Sequence, residues 1–272
     1  MKKILILSLL TAAMPDLKAQ SIAYPQTRKV EVTENYHGTR VSDPYRWLED
    51  DTAASVGEWV DNQNAVTDQF ISKIPFVSKI KERLEKLYNF PRYTMPTRVG
   101  EFLFFRKNDG LQNQSVIFRQ RGISGSPEVF IDPNSLSRDG TVTAELAGYS
   151  LDKKWMAVTI SRSGSDWQEL EVYEVETGKK QSDKIEWVKF SGASWAKDGF
   201  FYSRYDKPTD GKAFSNKNEF HKIYFHKLGT PQNADRLIYS DLNHPLRYFG
   251  SSVSRDGKYL FVTGSEGTSG ND

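Results

Sequence analysis

Two kinds of hydrophobic period divide the chain. Val56, Trp59, Val60, Val66, Phe70, Ile71 and Ile74 recur at spacings of three and four, which predicts an amphipathic helix. Pro75 interrupts the pattern, and Val77, Ile80, Leu84, Leu87 and Tyr88 then define the face of a second helix, expected to be buried. Asp50 and Asp51 stand ahead of the first helix, where negative charge suits its dipole. Residues 24–51 read as an extended, turn-rich segment, and Pro91 and Pro96 end helical structure.

Beyond residue 97 the period becomes two. Met156, Val158 and Ile160 alternate with their neighbours, as do Leu170 and Val172 with Glu169 and Glu171, and Gly164 marks the tip of a hairpin between the two runs. Further strands are expected over 101–106, 115–120, 200–204, 222–226 and 258–263. Asp152, Asp198 and Asp256 each precede such a strand, and Val99-Gly100 is a weaker member of the series. An interval of about fifty residues holding some four short strands is the period of propeller blades. The turn aspartates and glycines are expected to make the tight turn into each strand. A β-sandwich is the alternative, although it would not require regular spacing. The expected fold is therefore mainly β: an incomplete propeller over 93–272, about three blades and the start of a fourth, after a short helical segment over 20–92. A ring closes with about 4–8 blades, so the series is expected to continue past Asp272.

Composition refines this picture at both ends. Lys2 and Lys3, the apolar run 4–13 and the small residues up to Ala19 have the layout of a signal peptide over 1–19, which predicts a periplasmic or secreted protein. The run is too short to cross a bilayer, so no membrane partner is expected. The 37 basic and 35 acidic residues leave a net charge of +2 and are interspersed, which argues against nucleic acid as a partner. There is no cysteine, hence no disulfide, thiolate nucleophile or Cys-based zinc site.

Catalytic motifs are missing. No G-x-S-x-G elbow occurs: 122–124, 250–252 and 267–269 each lack the second glycine and are expected to be turns. His221 and His226, five apart on an expected strand, point to opposite faces and cannot share a metal. They, like His37 and His244, are expected to be surface or locally hydrogen-bonded residues. The run Glu49-Asp50-Asp51 is read as a solvated helix start rather than a cation site. No metal or cofactor site and no catalytic residue is expected within the chain.

Six segments nevertheless carry a resemblance. YHGTRVSDPYRWLEDD (36–51), GLQNQ (110–114), DPNSLSRDGTV (132–142), SGSDW (163–167), VKFSGASW (188–195) and HKIYFHKLGT (221–230) resemble, in order, the N-terminal portion of the prolyl oligopeptidase family of serine peptidases. The resemblance runs from Tyr24 to about Gly264. It implies a seven-bladed propeller, and N-terminal helices that pack on a C-terminal α/β-hydrolase domain carrying the triad. It also implies hydrolysis of short peptides after proline through an acyl-enzyme, so this chain alone would be inactive and poorly stable. By the same resemblance Phe190 matches a ring that contacts the peptide side chain two residues before the scissile proline. Residues 206–218 match a mobile loop near the domain interface. The family places sulfur-containing side chains near Phe249 and Thr268, where this sequence departs from the pattern. A related oligopeptidase selecting basic residues and a non-enzymatic propeller binding module are the other readings.

Overall fold

The computed structural model describes residues 22–267. The expected signal peptide over 1–19, and Thr268, lie outside them. The chain divides into two compact units, residues 1–77 and 78–272.

In the first unit the turn-rich segment contains a hairpin, β1 (Thr33–Tyr36) and β2 (Thr39–Ser42), and a 3-10 turn over Arg46–Glu49, before helix α1 (Ala54–Ser72). The guanidinium of Arg46 gathers Glu34 at 2.9 Å, Asp43 at 3.2 Å and Glu49 at 2.6 Å. Trp47 donates its indole N–H to the Arg28 carbonyl, and the Arg28 guanidinium stands 4.6 Å from the Trp47 ring. Trp59 of α1 donates to Thr27 Oγ1. Asp50 does not cap α1: the residue ahead of the helix is Ala53, and Asp50 Oδ1 instead accepts from Thr52 N–H and Oγ1–H.

Helix α2 (Val77–Tyr88) forms as its period predicts, but no residue of α1 or α2 is buried. The expected buried face is thus corrected. Ile80, Leu84, Leu87 and Tyr88 are all exposed among the described residues, because a helix stripe is buried only by an element placed against it.

The second unit continues as antiparallel sheets. β3 (Arg92–Tyr93), β4 (Thr97–Val99), β5 (Phe102–Asn108), β6 (Val116–Arg121) and β7 (Glu128–Ile131) form one sheet. β8 (Thr143–Tyr149), β9 (Trp155–Ser161), β10 (Gln168–Glu174) and β11 (Lys180–Val188) form a second four-stranded meander. The third comprises β12 (Ser194–Trp195), β13 (Gly199–Arg204), β14 (Lys222–Lys227) and β15 (Arg236–Ser240). It joins the second at the single pair Val188↔Arg204. β16 (Tyr248–Val253) and β17 (Leu260–Ser265) begin a fourth, so 250–252 is a strand and not the turn expected.

These are blades rather than the layers of a sandwich. The five central residues of β9 are all buried. Met156, Val158 and Ile160 enter a core with Phe102, Phe104 and Phe130 of the first blade. Ala157 enters a second core with Trp195, Phe200 and Tyr202 of the third. A sandwich strand buries one face and wets the other, whereas stacked blades cover both. Polar bonds follow the same seams: Arg119 donates to the Val175 carbonyl, and Ser203 Oγ to the Phe249 carbonyl.

The repeated turn is reproduced atom by atom at two sites. Ser150 Oγ donates to Asp152 Oδ1 and accepts from Trp155 N–H, and Ser254 Oγ does the same with Asp256 and Tyr259. At the remaining site Gly199 is needed for another reason than the turn. A Cβ there would lie 1.9 Å from the His226 carbonyl oxygen, so the glycine admits a close approach between β13 and β14.

Candidate functional site

Several bulky residues at one end of the second and third blades carry unusual backbone. Trp187, Phe190 and Phe220 have φ of 61°, 54° and 61°. Side chains of this size rarely adopt the left-handed region, and such strain persists only where surrounding contacts hold it. Trp187 is the penultimate residue of β11, Phe190 follows that strand, and Phe220 precedes β14. The Phe190 ring is 57% exposed and leans on Tyr248, centroids 5.8 Å apart. It is therefore not packed inside a blade.

What holds Phe190 is a buried frame. His221 Nδ1 accepts from Phe249 N–H at 2.8 Å, so its proton sits on Nε2, which donates to the Lys189 carbonyl at 3.0 Å. Burial pushes the pKa of His221 down to about 4 against the modest upward pull of that Lys189 bond. The neutral imidazole thus ties the strained segment to β16. Ser203 N–H donates to Ser191 Oγ on the other side of Phe190. Phe249, where the family pattern differs, is buried, edge-on against Tyr239 and parallel to the His221 ring.

Lys189 lies beside Phe190 and is itself buried. Its ammonium stands 4.6 Å from the Trp167 ring, 5.7 Å from the Phe190 ring and 3.8 Å from Asp166. Trp167 closes the β9–β10 hairpin, and its N–H donates to the Ala213 carbonyl at 2.8 Å. The aromatic surface of Phe190 is thereby continued along the blade tips.

His226 overturns its expectation as a surface or locally bonded residue, and His221 does so equally; both are 0% exposed. His226 Nδ1 meets Asp235 at 2.7 Å, and Nε2 meets Asp183 at 3.0 Å. Two carboxylate partners require two donors, so this ring is an imidazolium. Burial lowers its pKa, but the hydrogen bonds and charges of Asp235 and Asp183 outweigh that, and the net direction is upward. Gly229 N–H completes Asp183, and Tyr202 O–H completes Asp235. With every partner supplied by the protein, this cluster is a strap between β11, β14 and the approach to β15. His244 is exposed and bonded to Asp241, as its loop position implied. Among the described residues no group of three or more His, Asp or Glu could hold a metal, and no helix is long and apolar enough to cross a membrane.

Sequence reasoning singled out Phe190 but not Trp187 or the His221 frame. A left-handed tryptophan leaves no compositional mark, and the partners of His221 come from distant strands.

Comparison with known proteins agrees with this architecture. Residues 24–272 match the family described as prolyl oligopeptidase, N-terminal beta-propeller domain. The chain is 43% identical over 264 residues to a prolyl endopeptidase of Elizabethkingia meningoseptica, covering 96% of this chain and 37% of that protein. It is 44% identical over 264 residues to a prolyl endopeptidase of Elizabethkingia miricola, with the same coverage. The structure of prolyl oligopeptidase B from Galerina marginata bound to a 25mer macrocyclization substrate superposes with a TM-score of 0.72 at 28% identity, over 91% of this chain and 38% of that one. The chain thus spans little more than a third of the length of these relatives. Blade period, motif order and the match along 24–272 lead to one conclusion: the chain belongs to the prolyl oligopeptidase family and corresponds to its N-terminal propeller portion.

Proposed function

We propose that the protein carrying this chain hydrolyses short peptides on the carboxyl side of proline, by the serine-type route through an acyl-enzyme. The chain contributes no triad member. It supplies the propeller wall against which the peptide lies. The observation that carries this reading is Phe190: a large ring held at φ 54° and left 57% exposed. An apolar side chain two residues before the proline would lie on it. Backbone strain of roughly 1–3 kcal/mol at such a residue is a cost met where position matters to function.

The exposed stripe of Ile80, Leu84, Leu87 and Tyr88 is the surface offered to an α/β-hydrolase domain. Burying four such side chains contributes several kcal/mol, at about 1.5–3 kcal/mol each. The start of the chain supports export, with residues 1–19 removed and the mature protein in the periplasm or outside the cell.

The test uses the full-length protein and peptides with proline, alanine, lysine or arginine before the scissile bond. Cleavage after proline alone is the expected result. Cleavage after lysine or arginine would instead favour the basic-residue oligopeptidase, and a folded protein with no cleavage the binding module. Phe190→Ala should raise KM about tenfold for peptides with leucine two residues before proline, and little for glycine there, since roughly 1.5 kcal/mol of side-chain burial is lost. A mature N-terminus at Gln20 in the exported fraction would support the localisation; an intact Met1 in the cytoplasm would refute it.

A further inference from the structure

Beyond Phe190 the blade tips border an open hollow of about 420 Å³ lined by Ile160, Arg162, Trp167, Trp187 and Phe214, among others. Trp167 and Trp187 meet edge to face, centroids 5.6 Å apart at 79°, which makes a corner of two aromatic planes. Phe214 stands over it with 69% of its surface exposed. A second hollow of about 270 Å³ shares Trp167, Ala213 and Phe214 with the first and reaches Lys189. Lys189 in turn lies between the Trp167 and Phe190 rings. The two hollows therefore adjoin at Trp167, Ala213 and Phe214, and Lys189 links the second of them to the Phe190 ring.

We propose that this corner receives an aromatic side chain of the peptide, further toward its N-terminus than the residue seated on Phe190. The inference rests on the peptide-binding reading of Phe190. The occupant follows from what the walls already satisfy. A cation would need the carboxylates, but Lys184 pairs with Glu169 Oε1 at 3.0 Å and Glu186 Oε1 at 2.8 Å, and the cation facing Glu169 Oε2 is already Arg162. The face of Trp167 that could take an ammonium has Lys189 on it. An anion has only Arg162, which pairs with Glu169 at 3.6 Å. A neutral ring meets the Trp167–Trp187 corner and Phe214, in the offset or edge-on arrangements that aromatic rings favour. The volume lies within the range of small-ligand pockets and exceeds what one ring needs. Trp187, a wall of the hollow, and Phe190 are both left-handed within four residues, so the strained backbone that carries Phe190 carries this wall too.

The test is equilibrium binding to the full-length protein, measured by calorimetry. The probes are peptides ending in proline, with leucine two residues before it and phenylalanine three, four or five residues before it. They are compared with the same peptide extended by glycine alone. One phenylalanine placement should bind about tenfold tighter, as expected for burial of one ring. Phe214→Ala, an exposed position that does not endanger folding, and Trp187→Ala should each bring that ratio close to one. Ile123→Ala, an exposed side chain of the first blade, should keep it. Equal affinity for every peptide, or a ratio that survives both substitutions, would overturn the proposal. A ratio without cleavage after proline would uphold the pocket and sink the catalytic reading. Cleavage after proline without a ratio would do the reverse.

Discussion

His221 should make the frame under Phe190 sensitive to acid. An ordinary histidine titrates near 6.5, and burial moves His221 to about 4. Because the folded pKa is the lower one, the unfolded chain takes up the proton first. The contribution is therefore complete above about pH 6.5 and is lost as the pH falls toward 4. Each pH unit within that window costs about 1.4 kcal/mol, so some 2 kcal/mol is lost by pH 5, roughly a thirtyfold increase in opening. The structural event is specific: a proton on Nδ1 abolishes the acceptor for Phe249 N–H. Hydrogen exchange on the full-length protein, corrected for intrinsic rates and resolved to the segment holding Phe249, reads this opening between pH 7.5 and 5. His221→Asn offers an acceptor that does not titrate, and should give lower protection with no such slope. Wild-type protection that stays constant over this range, or an equal slope in the variant, would refute the assignment of a neutral buried His221.

Three further outcomes concern the same blade. His226 is raised rather than lowered, so its contribution is present below about pH 6.5 and fades as the pH rises through the higher folded value. Asp235→Asn breaks the buried pair and should destabilise the third blade by about 3 kcal/mol or more, read as lost protection in β14; an effect below about 1 kcal/mol would mean that the imidazolium strap is not formed. Gly199→Ala places a Cβ against the His226 carbonyl and should cost about 3 kcal/mol through forced separation of β13 and β14, measured by the thermal midpoint; a shift within error would show that the strands can part there freely.

What can be read from the chain alone is the part whose information is local. The helical period over 54–88 and the alternation in β10 survive in any context, because each records which residues share a face. The turns at Asp152 and Asp256 are equally legible, since the partners that Ser150 and Ser254 find there lie within five residues. Other features were decided only when strands met. Whether the stripe of α2 is buried depends on what lies against it, and among the described residues it is exposed. β9 reads as alternating, yet both its faces are buried, because neighbouring blades cover it from two sides. His221 and His226 are five residues apart in one motif, but one is neutral and the other charged. The first meets a carbonyl and an N–H, the second two carboxylates, and all four partners come from elsewhere in the fold. Protonation state, strained backbone and the tryptophan corner all arise from contacts between distant segments, and only the tertiary structure brings those segments together.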